Sequence, residues 1–162
     1  GQFDITLQGV NCFNTQGAGI VIPFKKHFNT DKFPMEQIGK GDVNKLGQID
    51  GVKFVISPKG IALKYGSPES NEGKLENGFY LTVYNCYSQY HYGMNHIDGT
   101  DTPIDYEALS LCLRKINFKH KGKRIGLPLI GGGLAGGDPI VIENIMRKEL
   151  KDCDVTLVLF EK

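Results

Sequence analysis

Two glycine-rich runs have the composition best suited to chemistry in this sequence. The first glycine run is Gly17-Ala18-Gly19, and the second extends from Gly131 to Gly137. Each lies between a strand-like and a helix-like segment. Backbone without Cβ atoms can approach a ligand closely, and a helix N-terminus behind it adds positive potential. The two runs together predict a diphosphate site, and two ordinary tight turns are the alternative.

Two polar side chains stand beside these runs. Asp138 follows the second glycine run, where a carboxylate could orient a water or act as a base. Its alternative role, favoured by the residues alone, is to cap a helix that has Pro139 at its first position. Asn11 ends the first predicted strand, where it could bond a ribose hydroxyl or form an Asx turn.

Other readings of these motifs fit less well. The second glycine run matches G-x-G-x-x-G at Gly131, Gly133 and Gly136, but too little chain follows it for a Rossmann topology. A phosphate-binding role for the run survives that exclusion. His91 and His96 share one polar loop, and exposed loop histidines are commoner than metal ligands. The sequence contains no Walker loop and no G-x-S-x-G elbow.

Strand-like and helix-like segments alternate along the chain. The predicted strands cover 3–10, 53–57, 61–65, 79–88, 124–130 and 154–160, and the predicted helices cover 20–28, 105–118 and 138–150. The strands at 53–57 and 61–65 form a hairpin, and 29–50 and 66–78 are polar connections. This order predicts an α/β fold with a mixed central sheet between two helical layers.

The composition is that of an ordinary globular domain. The 162 residues carry a formal net charge of +1, so charge alone gives no argument for nucleic-acid binding. We expect one domain over residues 1–162. The four cysteines form no C-x-x-C pair and are expected to be reduced thiols in the cytoplasm. No secretory signal or membrane span is expected.

Four segments, in this order, resemble the macro domain. They are VNCFNTQGAGIVIPFKKHF, GDVNKLGQI, YNCYSQYHYG and IGLPLIGGGLAGGDPIVIENI, and the resemblance extends from about Phe3 to Phe160. Its nearest branch contains phage and bacterial proteins similar to ADP-ribose 1''-phosphate phosphatases, together with ADP-ribosyl glycohydrolases. The resemblance implies a three-layer α/β/α macro domain that binds ADP-ribose or a derivative.

The resemblance also implies roles for single residues. Asn11 would contact the distal ribose and take part in catalysis, and Asp138 would be the catalytic carboxylate. Gln89 would lie in the ligand site after the central strand. The residues implied to wrap the ribose and the phosphates are Gly17, Ala18, Gly19, Ile20, Ile130, Gly131, Gly132, Gly133, Leu134, Ala135, Gly136 and Gly137.

The sequence departs from the branch at several positions. Gln8, a further expected ligand contact, replaces a histidine implicated in the phosphatase chemistry, and glutamine cannot shuttle a proton near neutral pH. Pro139 replaces a tryptophan, and Ala135 stands where one subgroup has an aspartate. The aspartate that reads adenine in relatives has no match, because Asp4 lies too close to Asn11.

Three functions therefore stay open. The first is hydrolysis at the distal ribose of an ADP-ribose derivative, free or attached to a macromolecule, without cofactor or metal. The second is a binder or sink for ADP-ribose-type or cyclic NAD-derived signals, as in phage counter-defence from the host cytoplasm. The third is a fold that has lost its ligand.

Overall fold

A computed structural model describes residues 1–17, 20–91, 103–128 and 136–158. Within these residues it contains a mixed six-stranded sheet in the order β3-β2-β4-β1-β5-β6. The strands are β1 Ile5–Asn11, β2 Ile49–Ile56, β3 Ala62–Gly66, β4 Phe79–Gln89, β5 Arg124–Leu127 and β6 Asp154–Leu157. The helices are α1 Val21–Phe28, α2 Tyr106–Lys119 and α3 Pro139–Glu149.

The direction of the strands decides where their following loops meet. Strand β1 runs parallel to both of its neighbours, β4 and β5, and β5 runs parallel to β6. Strands β2 and β3 form the antiparallel part of the sheet. The carboxyl ends of β1, β4 and β5 therefore lie at one edge of the sheet, which we call the strand-end edge.

Two hydrophobic cores lie on opposite faces of the sheet, as alternation along the strands requires. On one face, Ile5 and Leu7 of β1 pack with the buried sides of α2 and α3. On the other face, Phe24 of α1 packs with Val83 of β4 and Phe54 of β2. These helical layers confirm the predicted three-layer α/β/α class.

The helices begin where the sequence predicts. Asp105 caps α2 and Asp138 caps α3, each accepting from a backbone N–H in the first turn. Helix α2 buries Leu109, Cys112, Leu113 and Ile116 completely, in agreement with their helical spacing. Pro23 lies in the first turn of α1, where its missing N–H costs no helical hydrogen bond.

The connections carry more order than predicted. The polar segment 29–50 contains the 3-10 turns Thr30–Lys32, Pro34–Gln37 and Val43–Lys45, together with the start of β2. Lys53 ties the 66–78 connection to the sheet through the Ser70 carbonyl, at 2.7 Å, and the Glu72 carboxylate. All four cysteines are free. No helix in the described parts of the chain is long and apolar enough to cross a membrane.

Candidate ligand-binding site at the strand-end edge

The connection from β1 to α1 begins at the strand-end edge. We call its residues 11–16 the loop stem, because they lead into the first glycine run. A register shift against β4 falls between Val10 and Asn11, so that Asn11 stands opposite Gln89. The pairing continues one step further, where the Cys12 N–H donates to the Tyr90 carbonyl at 3.0 Å. The loop stem is thus an extension of the sheet rather than a free loop.

Asn11 uses its side chain to shape the loop stem. Its Oδ1 accepts from the N–H groups of Phe13 and Thr15, at 3.0 and 3.3 Å, and its Nδ2 donates to the Thr15 carbonyl at 2.9 Å. This arrangement is the Asx-type turn given as the alternative role of Asn11. An amide group has two N–H donors, so one of them has no acceptor among the described residues.

Gln16 anchors the far end of the loop stem. Its side chain is buried and bonds Thr30 twice, donating to the carbonyl at 3.2 Å and accepting from Oγ1 at 2.7 Å. It also donates to the Glu36 carboxylate. Lys25 of α1 donates to the Gln16 carbonyl at 3.0 Å. The residue immediately before the first glycine run is therefore held by both its side chain and its backbone.

Lys45 braces the middle of the loop stem. Its Nζ donates to Asn14 Oδ1 at 2.6 Å and lies 5.5 Å from the centroid of the Tyr87 ring. Asn14 has a positive φ of 60°, a conformation that asparagine tolerates better than most residues. The Gly41 N–H donates to the Cys12 carbonyl at 2.7 Å from the same side. The loop stem is consequently ordered before any ligand arrives.

Burial makes Cys12 a poor nucleophile despite its position. The loss of water contact raises the pKa of its thiol to about 12. The thiol Sγ lies 3.7 Å from the Gln89 carbonyl as a weak donor. Since the thiolate is the reactive form, Cys12 supports packing rather than catalysis.

Neither its backbone conformation nor its packing against the described residues requires glycine at position 17. Its φ lies outside the positive region, and a Cβ added there would have no described neighbour within 4 Å. Ile20, half-buried, occupies the position before α1 and makes no capping hydrogen bond with its side chain. The other predicted ligand contacts of the first run, Ala18 and Gly19, lie outside the described residues.

Gln8 lies beneath the loop stem rather than at its surface. It is fully buried in β1, and its Nε2 donates to Asn85 Oδ1 at 2.8 Å and to Gln16 Oε1 at 3.4 Å. Among the described residues no group donates to its Oε1. Gln8 therefore supports the anchored Gln16 and keeps one acceptor open.

The end of β4 supplies the polar group predicted beside Asn11. Gln89 Nε2 donates to the backbone carbonyl of His91 at 3.1 Å. The His91 ring packs edge-on against Phe13, with centroids 4.9 Å apart, which joins the end of β4 to the loop stem. His96, which shares a loop with His91, falls outside the described residues. The described residues contain no cluster of three or more metal-ligating side chains.

The second glycine run is described only at its end. Ile130, Gly131, Gly132, Gly133, Leu134 and Ala135 lie outside the described residues. Gly136 has a φ of 69°, and Gly137 leads into the helix cap Asp138. The exposed Asp138 accepts from the Ile140 N–H through Oδ1 at 2.9 Å, and its own N–H donates to the Tyr106 hydroxyl at 3.0 Å. The predicted capping role of Asp138 is confirmed, and its second oxygen has no hydrogen bond from the described residues.

An apolar groove beside the first glycine run was missed by the sequence analysis. It has a volume of about 390 Å³ and runs between α1 and the β5 side of the sheet. Its walls come from separate segments, including Phe3, Pro23, Phe24, Leu127, Pro128 and Val158. Ile20 also lines it, so the groove reaches the start of α1 next to the first glycine run. Only the folded sheet brings these residues together.

Asp4 does not serve this groove. Arg124 binds its carboxylate through the backbone N–H, Nε and a terminal guanidinium nitrogen, at 2.9, 3.2 and 3.0 Å. This pairing holds the pKa of Asp4 below its ordinary value. The Asp4 carboxylate is therefore already paired with Arg124.

Comparison with known proteins relates this geometry to a fold. No protein-family model matches the chain. The uncharacterized 17.5 kDa protein of the tk-vs intergenic region of Enterobacteria phage T4 is 26% identical over 161 residues, which cover 94% of this chain and 84% of the phage protein. A macrodomain protein from Streptomyces coelicolor is 16% identical, with a TM-score of 0.63 and coverage of 99% of this chain and 90% of that chain.

A second similar structure contains a ligand. Thermosipho africanus DarTG in complex with ADP-ribose is 15% identical, with a TM-score of 0.58, and the match covers 99% of this chain and 39% of that longer chain. The sheet order, the helical layers and these structural matches lead to one conclusion. The chain has the macrodomain fold.

Proposed function

We propose that this macrodomain binds ADP-ribose or a close derivative at the strand-end edge. The diphosphate would lie between the first and second glycine runs, which leave the neighbouring parallel strands β1 and β5. Backbone N–H groups of the runs and the N-termini of α1 and α3 would face its negative charge. The bound ADP-ribose of the DarTG structure supports this choice of ligand.

The observation that carries the proposal is the glycine at position 17. Glycine lowers stability wherever its freedom is unused, because it loses more backbone entropy on folding than other residues. Position 17 shows no positive φ, and none of the described residues comes within 4 Å of an added Cβ. The remaining reason for glycine is a surface that an external group approaches closely, next to a stem anchored through Gln16.

The apolar groove would hold the base of the nucleotide. Its walls include the rings of Phe24 and Pro128, and a flat heteroaromatic ring gains from dispersion and from leaving water in such a place. Thr6 and His27 also line the groove and could meet the polar edge of the base. The groove adjoins Ile20, so one ligand can reach both the groove and the first glycine run.

The proposed reaction is hydrolysis at the distal ribose, with Asp138 as the group that positions or activates water. Its carboxylate is exposed at the start of α3, and one oxygen keeps its lone pairs free of described donors. Asn11 would orient the ribose with its remaining N–H. A non-catalytic sink for ADP-ribose-type signals is the alternative, supported by Gln8 in place of a proton-shuttling histidine.

Two substitutions of Asp138 separate capping from chemistry. Asn caps a helix as well as Asp does, so Asp138→Asn should keep stability and ADP-ribose binding while removing phosphate release from ADP-ribose 1''-phosphate. Asp138→Ala should also lose the cap, at about 1 kcal/mol of stability. Calorimetry, thermal unfolding and phosphate release measure the three properties.

The wild-type result decides among the functions. Binding followed by phosphate release supports the phosphatase, and binding with the ligand recovered unchanged supports the sink. No heat of binding and no rise in Tm with ADP-ribose would refute the proposed function itself.

A further inference from the structure

Glu36 is a buried carboxylate that the proposed function does not use directly. It comes from the 3-10 turn Pro34–Gln37 and reaches the carboxyl-end half of the sheet. One of its oxygens accepts from Gln16 Nε2, and the other accepts from the Tyr87 hydroxyl at 2.7 Å. Burial raises its pKa, and the hydrogen bonds from Tyr87 and Gln16 oppose that rise. Its two oxygens are thus committed to one strand residue and one loop residue.

Gln16 joins this carboxylate to the rest of the loop stem. Thr30, which is fully buried, bonds the Gln16 side chain through both its hydroxyl and its carbonyl. The same Thr30 carbonyl accepts from Asn85 of β4 at 3.0 Å. Every contact that fixes the Gln16 side chain therefore leads back to β1, to β4 or to the turns packed over them.

Gln16 directly precedes the first glycine run. Among the described residues, no atom lies within 4 Å of where a Gly17 Cβ would stand, so the anchored Gln16 is the described residue that holds the start of the run. A loop that is ordered before binding saves the entropy of ordering it afterwards. The affinity of the first glycine run for a phosphate therefore depends on how firmly Gln16 is held.

We propose that Gln16, clamped by Glu36 and Thr30, is the positioning residue that presets the first glycine run for its ligand. This inference rests on the proposed function. It predicts that loss of the clamp weakens ligand binding by more than the accompanying loss of stability explains. None of the three side chains has to touch the ligand.

The test uses an isosteric pair at Thr30 and a substitution at Gln16. Thr30→Val removes the hydroxyl that donates to Gln16, whereas Thr30→Ser keeps it. Calorimetry with ADP-ribose should give a Kd raised about fivefold to tenfold for Thr30→Val and restored toward wild type for Thr30→Ser. Gln16→Met removes all the side-chain hydrogen bonds at similar length and should raise the Kd by about tenfold or more.

A buried amide away from the strand-end edge supplies the matched control. Asn117 donates to Asp152 Oδ2 and accepts from the Asp152 N–H, both at 2.9 Å, between α2 and the segment after α3. Asn117→Ala should lower the Tm by an amount similar to that of the clamp variants and leave the Kd for ADP-ribose unchanged.

The outcomes separate this inference from the function on which it rests. A wild-type protein that does not bind ADP-ribose refutes the proposed function. A wild-type protein that binds, with Thr30→Val and Asn117→Ala both lowering the Tm and both keeping the wild-type Kd, overturns the inference alone. If Gln16→Met does not fold, the Thr30 pair still decides.

Discussion

Replacing Gly17 by alanine tests whether a ligand approaches the first glycine run. An added Cβ meets no atom of the described residues within 4 Å, and φ is compatible with alanine. The folded protein should gain about 0.4–1 kcal/mol, because the unfolded chain loses freedom. For a domain of this size, that gain raises the Tm by roughly 1–4 °C.

Ligand binding should respond in the opposite direction. A phosphate oxygen bonded to a backbone N–H lies about 2.9 Å from the nitrogen. An alanine methyl group on the adjacent Cα would therefore crowd that oxygen. Forcing a methyl into a filled contact costs about 1–3 kcal/mol, which is roughly a fivefold to 150-fold rise in Kd. Calorimetry with ADP-ribose measures the affinity, and thermal unfolding without ligand measures the stability.

Gly122 provides the reverse case for the same substitution. A Cβ there also has no neighbour within 4 Å, but φ is +80°, and the turn precedes β5 at the opposite edge of the sheet. Gly122→Ala should cost about 1–2 kcal/mol of stability from backbone strain and keep the Kd. If Gly17→Ala binds ADP-ribose as tightly as wild type, no ligand approaches Gly17 and the reasoning for the first glycine run fails.

Two further predictions concern the groove and the pH dependence of stability. Val158→Asp places a charge in the apolar groove and should weaken ADP-ribose by about tenfold while ribose 5-phosphate, which lacks the base, binds unchanged in calorimetry. His120 Nε2 and the Tyr84 hydroxyl share a hydrogen bond of 2.6 Å, and burial lowers the pKa of His120. The unfolded state therefore takes up the proton first, so stability should fall as the pH drops below about 6.5. Urea titrations at several pH values should show that the free energy of unfolding depends more steeply on pH in the wild type than in His120→Gln. Equal pH dependence in the two proteins would contradict the role given to His120.

The sequence alone predicts those elements whose determinants lie within the element itself. Asp105 and Asp138 mark helix starts through their own backbone, and the four buried residues of α2 repeat at helical spacing. The start of β2 was missed because Gly51 interrupts the strand pattern. The folded chain explains that glycine, since a side chain at position 51 would collide with the Tyr84 ring of β4. That requirement depends on a partner far away in the sequence.

The candidate site divides in the same way. The glycine runs and Asn11 can be recognised in the sequence by their composition and position. Gln16 and Glu36 cannot, because their role depends on hydrogen bonds to each other, to Thr30 and to Tyr87 that only the fold creates. The apolar groove is likewise assembled from strand, helix and loop residues that share no motif.

The position of β1 in the sheet also affects how the chain can assemble. This strand lies between β4 and β5, and its Gln8 meets Asn85, 77 residues later in the chain. The hairpin of β2 and β3, which lies beyond β4, needs only nearby sequence. During synthesis, β1 must therefore wait, unpaired, until the ribosome has released β4, and its apolar residues stay exposed to aggregation in the interval. The strand that leads into the loop stem is thus a vulnerable segment of the nascent chain.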